Sequence, residues 1–156
     1  MLKDVEHLLH TGAYHADEIE RILDPDDPAF ITFDPVLGYE LKDYLFDDGM
    51  DGTVSSYQYE PRGGHRKMVN HADQPCRINT YGDSYTQGAQ VSNGETWQEI
   101  LAAHFREPIR NFGVGGYGVY QAYRRAMRTE RLPDLAGEHI VLNVWDDDHL
   151  RNIDAA

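Results

Sequence analysis

Three short stretches hold side chains that could do chemistry, and each follows an apolar run. The first is YGDSYTQG, residues 81–88. A serine set directly after a strand, preceded by Gly-Asp and leading into a turn, presents its hydroxyl at the sheet edge. Its N–H points into the same space and can stabilise an oxyanion. Serine is a weak nucleophile that needs a neighbouring base, so Ser84 alone is half of a catalytic site. The same residues also suit a plain helix or turn cap. The second stretch is NFGVGGYG, residues 111–118. Gly113, Gly115 and Gly118 spell G-x-G-x-x-G after a strand and before a helix, with Asp146 at the end of the next strand. That is also a dinucleotide-binding pattern, in which N–H groups hold a pyrophosphate. The third is NVWDDDHLRN, residues 143–152, where Asp146 and His149 form a D-x-x-H pair. The acids at 146–148 with His149 could instead ligate a divalent cation, or form a solvated loop.

These stretches need elements to position them. CRINTY at 76–81 reads as a short strand between Pro75 and Gly82. In ETWQEILAAHF at 95–105, Trp97, Ile100, Leu101, His104 and Phe105 recur at helical spacing on one face. Ser92 or Asn93 can cap this helix, and Glu95 suits its positive end. PIRNF at 108–112 reads as a second strand. A helix over 118–131 carries Tyr120, Tyr123, Ala126 and Met127 along one side and Arg124, Arg125, Arg128 and Arg131 along another, which reads as a solvated face paired with acids. HIVLNVW at 139–145 is a continuous apolar run, the pattern of a buried parallel strand. The order strand–helix–strand–helix–strand predicts parallel pairing through right-handed crossovers. Ligands bind such sheets at the carboxyl ends of the strands, where all three stretches fall.

GDSYTQG, with ETWQEIL downstream and then NFGVGGYG, resembles the SGNH/GDSL hydrolase superfamily of esterases. FDPVLGYEL at 33–41 and GGHRK at 63–67 are similar to segments that precede the serine motif in some members, so the resemblance covers roughly residues 33–152. It implies a flavodoxin-like three-layer α/β fold, here incomplete, and a serine-nucleophile hydrolase acting on an acyl or carbohydrate ester, in a truncated or weakly active form for want of the family's base, with no metal or organic cofactor. Ser84 matches the family's nucleophile, and Gly116 falls where the family supplies a second oxyanion N–H. The position of the family's oxyanion-hole Asn falls on Asp147, a departure, since an ionised carboxylate cannot donate a hydrogen bond. The family's D-x-x-H base pair lies beyond the fifth strand, whereas Asp146 and His149 occur at the third. His149 is nonetheless the candidate base, and the arm's His65 and His71 are remote alternatives.

Composition limits the other classes. The 156 residues carry 27 acids against 14 bases, a formal charge of −13. Acidic surface argues against nucleic acid or an anionic membrane as partner. The single cysteine, Cys76, excludes an internal disulfide framework and a cysteine zinc cluster. No run reaches the roughly 18 apolar residues of a membrane span. MLKDVEHLLHTG lacks a secretory core, so the expectation is a cytoplasmic protein, or an exported one whose signal is removed. Residues 1–75 hold 16 acids and 6 bases, while residues 76–156 hold 11 and 8. The chain thus divides into an acidic N-terminal helix (residues 4–23) with a wrapping arm, 1–75, and the N-terminal half of an SGNH-type domain, 76–156. Three strands leave an uncovered edge, to be completed by a missing C-terminal half or another copy. A non-catalytic ligand-binding domain of the same type and a nucleotide-binding module remain the alternatives.

Overall fold

The computed structural model describes residues 20, 23–24, 30–49 and 51–146. The helix expected over 4–23 therefore lies outside the described residues, apart from Glu20, Leu23 and Asp24. Four short strands build the arm: β1 (Ile31–Asp34) pairs antiparallel with β2 (Gly38–Leu41), and β3 (Tyr44–Phe46) with β4 (Ser55–Tyr57). The β1–β2 turn forms because Asp34 Oδ1 accepts the N–H groups of Val36 and Leu37, a side chain standing in for a backbone acceptor.

The rest is an α/β unit. β5 (Ile78–Tyr81) runs into a one-turn helix α1 (Ser84–Gln87), then α2 (Trp97–Phe105), β6 (Ile109–Asn111), α3 (Val119–Thr129) and β7 (His139–Leu142). The three strands form a parallel sheet in the order β6–β5–β7, with Ile78 opposite both Ile109 and His139. The first strand thus lies between the second and third, so the chain reverses direction across the sheet at β5. Doubly wound sheets bind ligands outside the carboxyl ends of the strands at such a reversal. The expected strand–helix order and parallel pairing are present, with each element a few residues shorter than the sequence pattern.

Which helix faces are buried differs from the sequence pattern. On α2 the inward residues are Gln98, Glu99 and Ala102, while Ile100 and Phe105 are exposed. Polar packing here is satisfied on the donor side of Gln98 and at Glu99, while Gln98 Oε1 and Thr86 Oγ1 have no partner among the described residues. Gln98 Nε2 donates to Thr80 Oγ1 and to the Thr86 carbonyl, and Glu99 accepts the N–H groups of Val69 and Asn70. On α3 the small Ala122 and Ala126 face inward with Arg125, and Tyr120, Tyr123 and Met127 face out. Arg125 is therefore not part of a solvated face. Its Nη2 donates to the carbonyls of Gly63 and Gly64, and its guanidinium lies 5.8 Å over the Phe112 ring. Arg128 does pair with acids, namely Asp34 and Glu40 of the arm.

The arm is joined to the α/β unit by buried side chains. Leu37 packs with Val114 and Tyr117. A second cluster joins Tyr81, Phe112 and Ala126, with the Tyr81 and Phe112 rings stacked at 4.9 Å. β7 does not form the fully buried strand its apolar run predicts. All four of its residues are exposed, Ile140 at 53%, because among the described residues only β5 packs closely against it, which leaves its faces uncovered. No helix among the described residues is long and apolar enough to cross a membrane.

Candidate active site

Ser84 is the first residue of α1, immediately beyond the carboxyl end of β5. The buried Asp83 caps the helix, its Oδ1 accepting the Tyr85 N–H at 3.0 Å. The cap reading and the nucleophile reading thus fall on adjacent residues: Asp83 caps, and Ser84 is left half-buried at the surface of the turn. Among the described residues, neither the hydroxyl nor the N–H of Ser84 has a hydrogen-bond partner. A depression of about 450 Å³ opens beside it, lined by Ser84, Tyr85, Gly88, Ala89, Gln90 and Trp145. The exposed rings of Tyr85 and Trp145 meet edge to face at 5.2 Å on its rim.

The glycine loop runs alongside. Asn111, at the end of β6, donates from Nδ2 to the Gln87 carbonyl and accepts the Gly113 N–H on Oδ1. Gly113 lies so close to α1 that a Cβ there would run into the backbone of Thr86 and Gln87. A methyl on Gly115 would stand 3.7 Å from the Ser84 Cβ, which places the loop within van der Waals reach of the serine. Almost every N–H of the loop is engaged inside the fold. Gly113 donates to Asn111, Val114 to the Gly82 carbonyl, Gly115 to Gln87 Oε1, Tyr117 to the Val114 carbonyl and Gly118 to Gln121 Oε1. Only the Gly116 N–H has no acceptor among the described residues. A pyrophosphate cradle needs several converging free N–H groups, and this loop offers one.

Two residues that sequence reasoning passed over hold this geometry. Gln87 bridges the loop to the arm: its Oε1 takes the Gly115 N–H at 2.8 Å, while its Nε2 donates to the hydroxyls of Tyr44 and Tyr59. Burial pushes both phenols up, Tyr59 far above the usual tyrosine range, so they stay protonated. Arg66, buried in the similar GGHRK segment, donates to the carbonyls of Gln87, Gly88, Val91 and Ser56 and to Asn93 Oδ1. Two of those carbonyls belong to the last turn of α1, so the guanidinium fixes the helix that carries Ser84. The spacing of the residues gave no means of finding either one.

The general base is not among the described contacts. Asp147 and His149 lie outside the described residues, and Asp146 is exposed at their border. His65 is buried against Phe112 at 5.2 Å, and burial, with the Arg110 and Arg125 charges, pushes its pKa down to about 4. His71 bonds to Gln74 in the turn before β5, and His139 opens β7 opposite Ile78. His139 is thereby at the amino end of the sheet, away from Ser84. Among the described residues no group of three His, Cys, Asp or Glu side chains could hold a metal ion. In the 47–52 run, Asp48 Oδ2 accepts the Tyr57 hydroxyl and the Gln90 N–H, a structural role.

The fold and site together define an α/β protein with a parallel three-stranded sheet and, at its carboxyl edge, a serine with no hydrogen-bond partner among the described residues. No family model, curated protein or solved structure matches the chain.

Proposed function

We propose that the chain is a serine-nucleophile ester hydrolase of the SGNH type, acting on an acyl or carbohydrate ester through an acyl-enzyme. The observation that carries this reading is the pairing of two unengaged groups on neighbouring segments. Among the described residues, one is the Ser84 hydroxyl with its own N–H, and the other is the Gly116 N–H, the one N–H of the glycine loop without an acceptor. In this reading both N–H groups are aimed at the oxyanion formed at Ser84, the minimum apparatus for stabilising a tetrahedral intermediate.

In the first half-reaction Ser84 Oγ attacks the acyl carbonyl, and its proton passes to the base. The carbonyl oxygen gains negative charge, which the Ser84 and Gly116 N–H groups stabilise. The alcohol leaves with the proton returned by the base, and water then repeats the sequence on the acyl-serine. His149 is assigned the base because Trp145, four residues earlier, borders the depression that holds Ser84. Asp147, at the place of the family's Asn, would oppose an oxyanion if ionised, so two backbone donors carry the stabilisation in this account. The apparatus needs no metal or organic cofactor. The exposed β7 supports a further proposal, that another segment or a second copy completes the sheet.

The test is hydrolysis of p-nitrophenyl acetate. The full chain turns it over, and Ser84→Ala lowers kcat by at least about 1,000-fold, the scale for loss of a nucleophile in a serine hydrolase. Equal rates for the two proteins would remove the reading.

A further inference from the structure

The arm meets the glycine loop through one hydroxyl. Tyr39, on β2, donates from its phenol to the Gly115 carbonyl at 2.6 Å. That carbonyl and the Gly116 N–H belong to the same peptide unit. A trans peptide sets its C=O and N–H on opposite sides of a rigid plane, and there are no cis peptides among the described residues. Holding the Gly115 oxygen therefore sets the direction of the Gly116 N–H. The preceding unit is held as well, since the Gly115 N–H is fixed on Gln87.

Tyr39 is in turn anchored. The Tyr117 hydroxyl donates to the Tyr39 carbonyl at 2.5 Å, and the two rings meet edge to face at 5.3 Å. Gly116 has φ +83°, and a Cβ there would stand 2.7 Å from the Tyr39 hydroxyl oxygen. Glycine at 116 thus answers both the left-handed backbone and the approach of this phenol.

We propose that Tyr39 is a positioning residue that sets the direction of the Gly116 N–H, the second donor to the oxyanion formed at Ser84. This rests on the hydrolase reading above. It gives the arm a part in the chemistry: a strand about 45 residues before the nucleophile aligns one of its two donors.

Tyr39→Phe isolates the hydroxyl, because the ring and its packing on Tyr117 remain. The rate of labelling of Ser84 by a fluorophosphonate is expected to fall about tenfold, less than the roughly 100-fold or more of a donor removed outright. For p-nitrophenyl acetate the loss falls on kcat with KM unchanged, since a misdirected donor weakens transition-state and not ground-state interactions. The Gly116 amide cross-peak in a ¹⁵N–¹H spectrum shifts or broadens, while amides of β5 and α2 stay in place.

Labelling of the wild-type chain tests the hydrolase reading, and the ratio of wild-type to Tyr39→Phe rates tests the proposal. Equal rates on a wild type that labels would overturn the proposal alone. So would an unchanged Gly116 amide, or a loss confined to KM. A wild type that does not label rejects the hydrolase reading and the proposal with it, whatever the amide does.

Discussion

Asp83 and Ser84 show how adjacent residues take different tasks from one turn. The acid is fully buried and caps α1, which leaves the serine with no structural bond to make among the described residues. His65 shows the opposite situation, a titratable group closed into the core. Its Nδ1 is buried without a partner, and two cations, Arg110 and Arg125, oppose its protonation. The unfolded chain takes up this proton near the ordinary value of 6.5, whereas the folded chain resists it down to about 4. Protons therefore favour unfolding across that window. The contribution costs nothing above about pH 7. It grows as pH falls below 6.5 by close to 1.4 kcal/mol per unit, and levels off below about 4. Urea midpoints measured at pH 7 and pH 4.5 should differ less for His65→Phe, which keeps a ring against Phe112 and cannot titrate. An identical acid slope in the variant would show that His65 is not responsible.

At the scale of elements, α1 has a single turn, and its position depends on side chains from elsewhere. Gln98, Asn111 and Trp97 each donate to one of its carbonyls, and Arg66 reaches two at its end, with five acceptors around one buried guanidinium and the Tyr57 ring 4.5 Å from its centre. Arg66→Met removes one donor from each of these acceptors, of which the Gln87 carbonyl keeps Asn111 Nδ2 and Asn93 Oδ1 keeps the Gln58 N–H, and should cost about 3 kcal/mol or more. Arg66→Lys should restore little of it, because three donors on one ammonium cannot reproduce a planar fork. Denaturant unfolding checks both, and a full rescue by lysine would contradict the role given to the fork. Arg66 also marks where the sequence was readable. Strand–helix order, parallel pairing and the placement of Ser84 and Gly116 at the carboxyl edge followed from apolar runs and glycine spacing. The helix faces did not. Periodicity put Ile100 and Phe105 inward, but α2 lies against backbone and hydroxyls of β5 and α1, which small Ala102 and the amide of Gln98 fit better. The tertiary bonds of Gln87, Tyr39 and Arg66 join residues 10 to 78 positions apart, and no local pattern encodes them.

At the scale of the whole molecule, exposed apolar side chains occur on the acidic arm, as at Phe33 and Leu45, and again around β7. Most of the −13 belongs to residues 1–75, whereas Ile140, Val141, Leu142, Val144 and Trp145 form an exposed apolar run on and beyond β7. An apolar strand with an open edge is a template for another strand. Sedimentation should show association that rises with concentration, and Val141→Lys should reduce it. A wild type that stays monomeric throughout would mean that part of the same chain covers the edge. The arm, acidic as it is, supplies Tyr39, Tyr44, Tyr59 and Arg66 to the frame of the site, so the chemistry belongs to the whole molecule. The central claim is that Ser84 is an activated nucleophile, and a fluorophosphonate reacted with the full chain, then located by peptide mass spectrometry, tests it most directly. The account predicts one adduct, on Ser84, absent from Ser84→Ala. No adduct on folded protein, or an adduct that persists in Ser84→Ala, would contradict it.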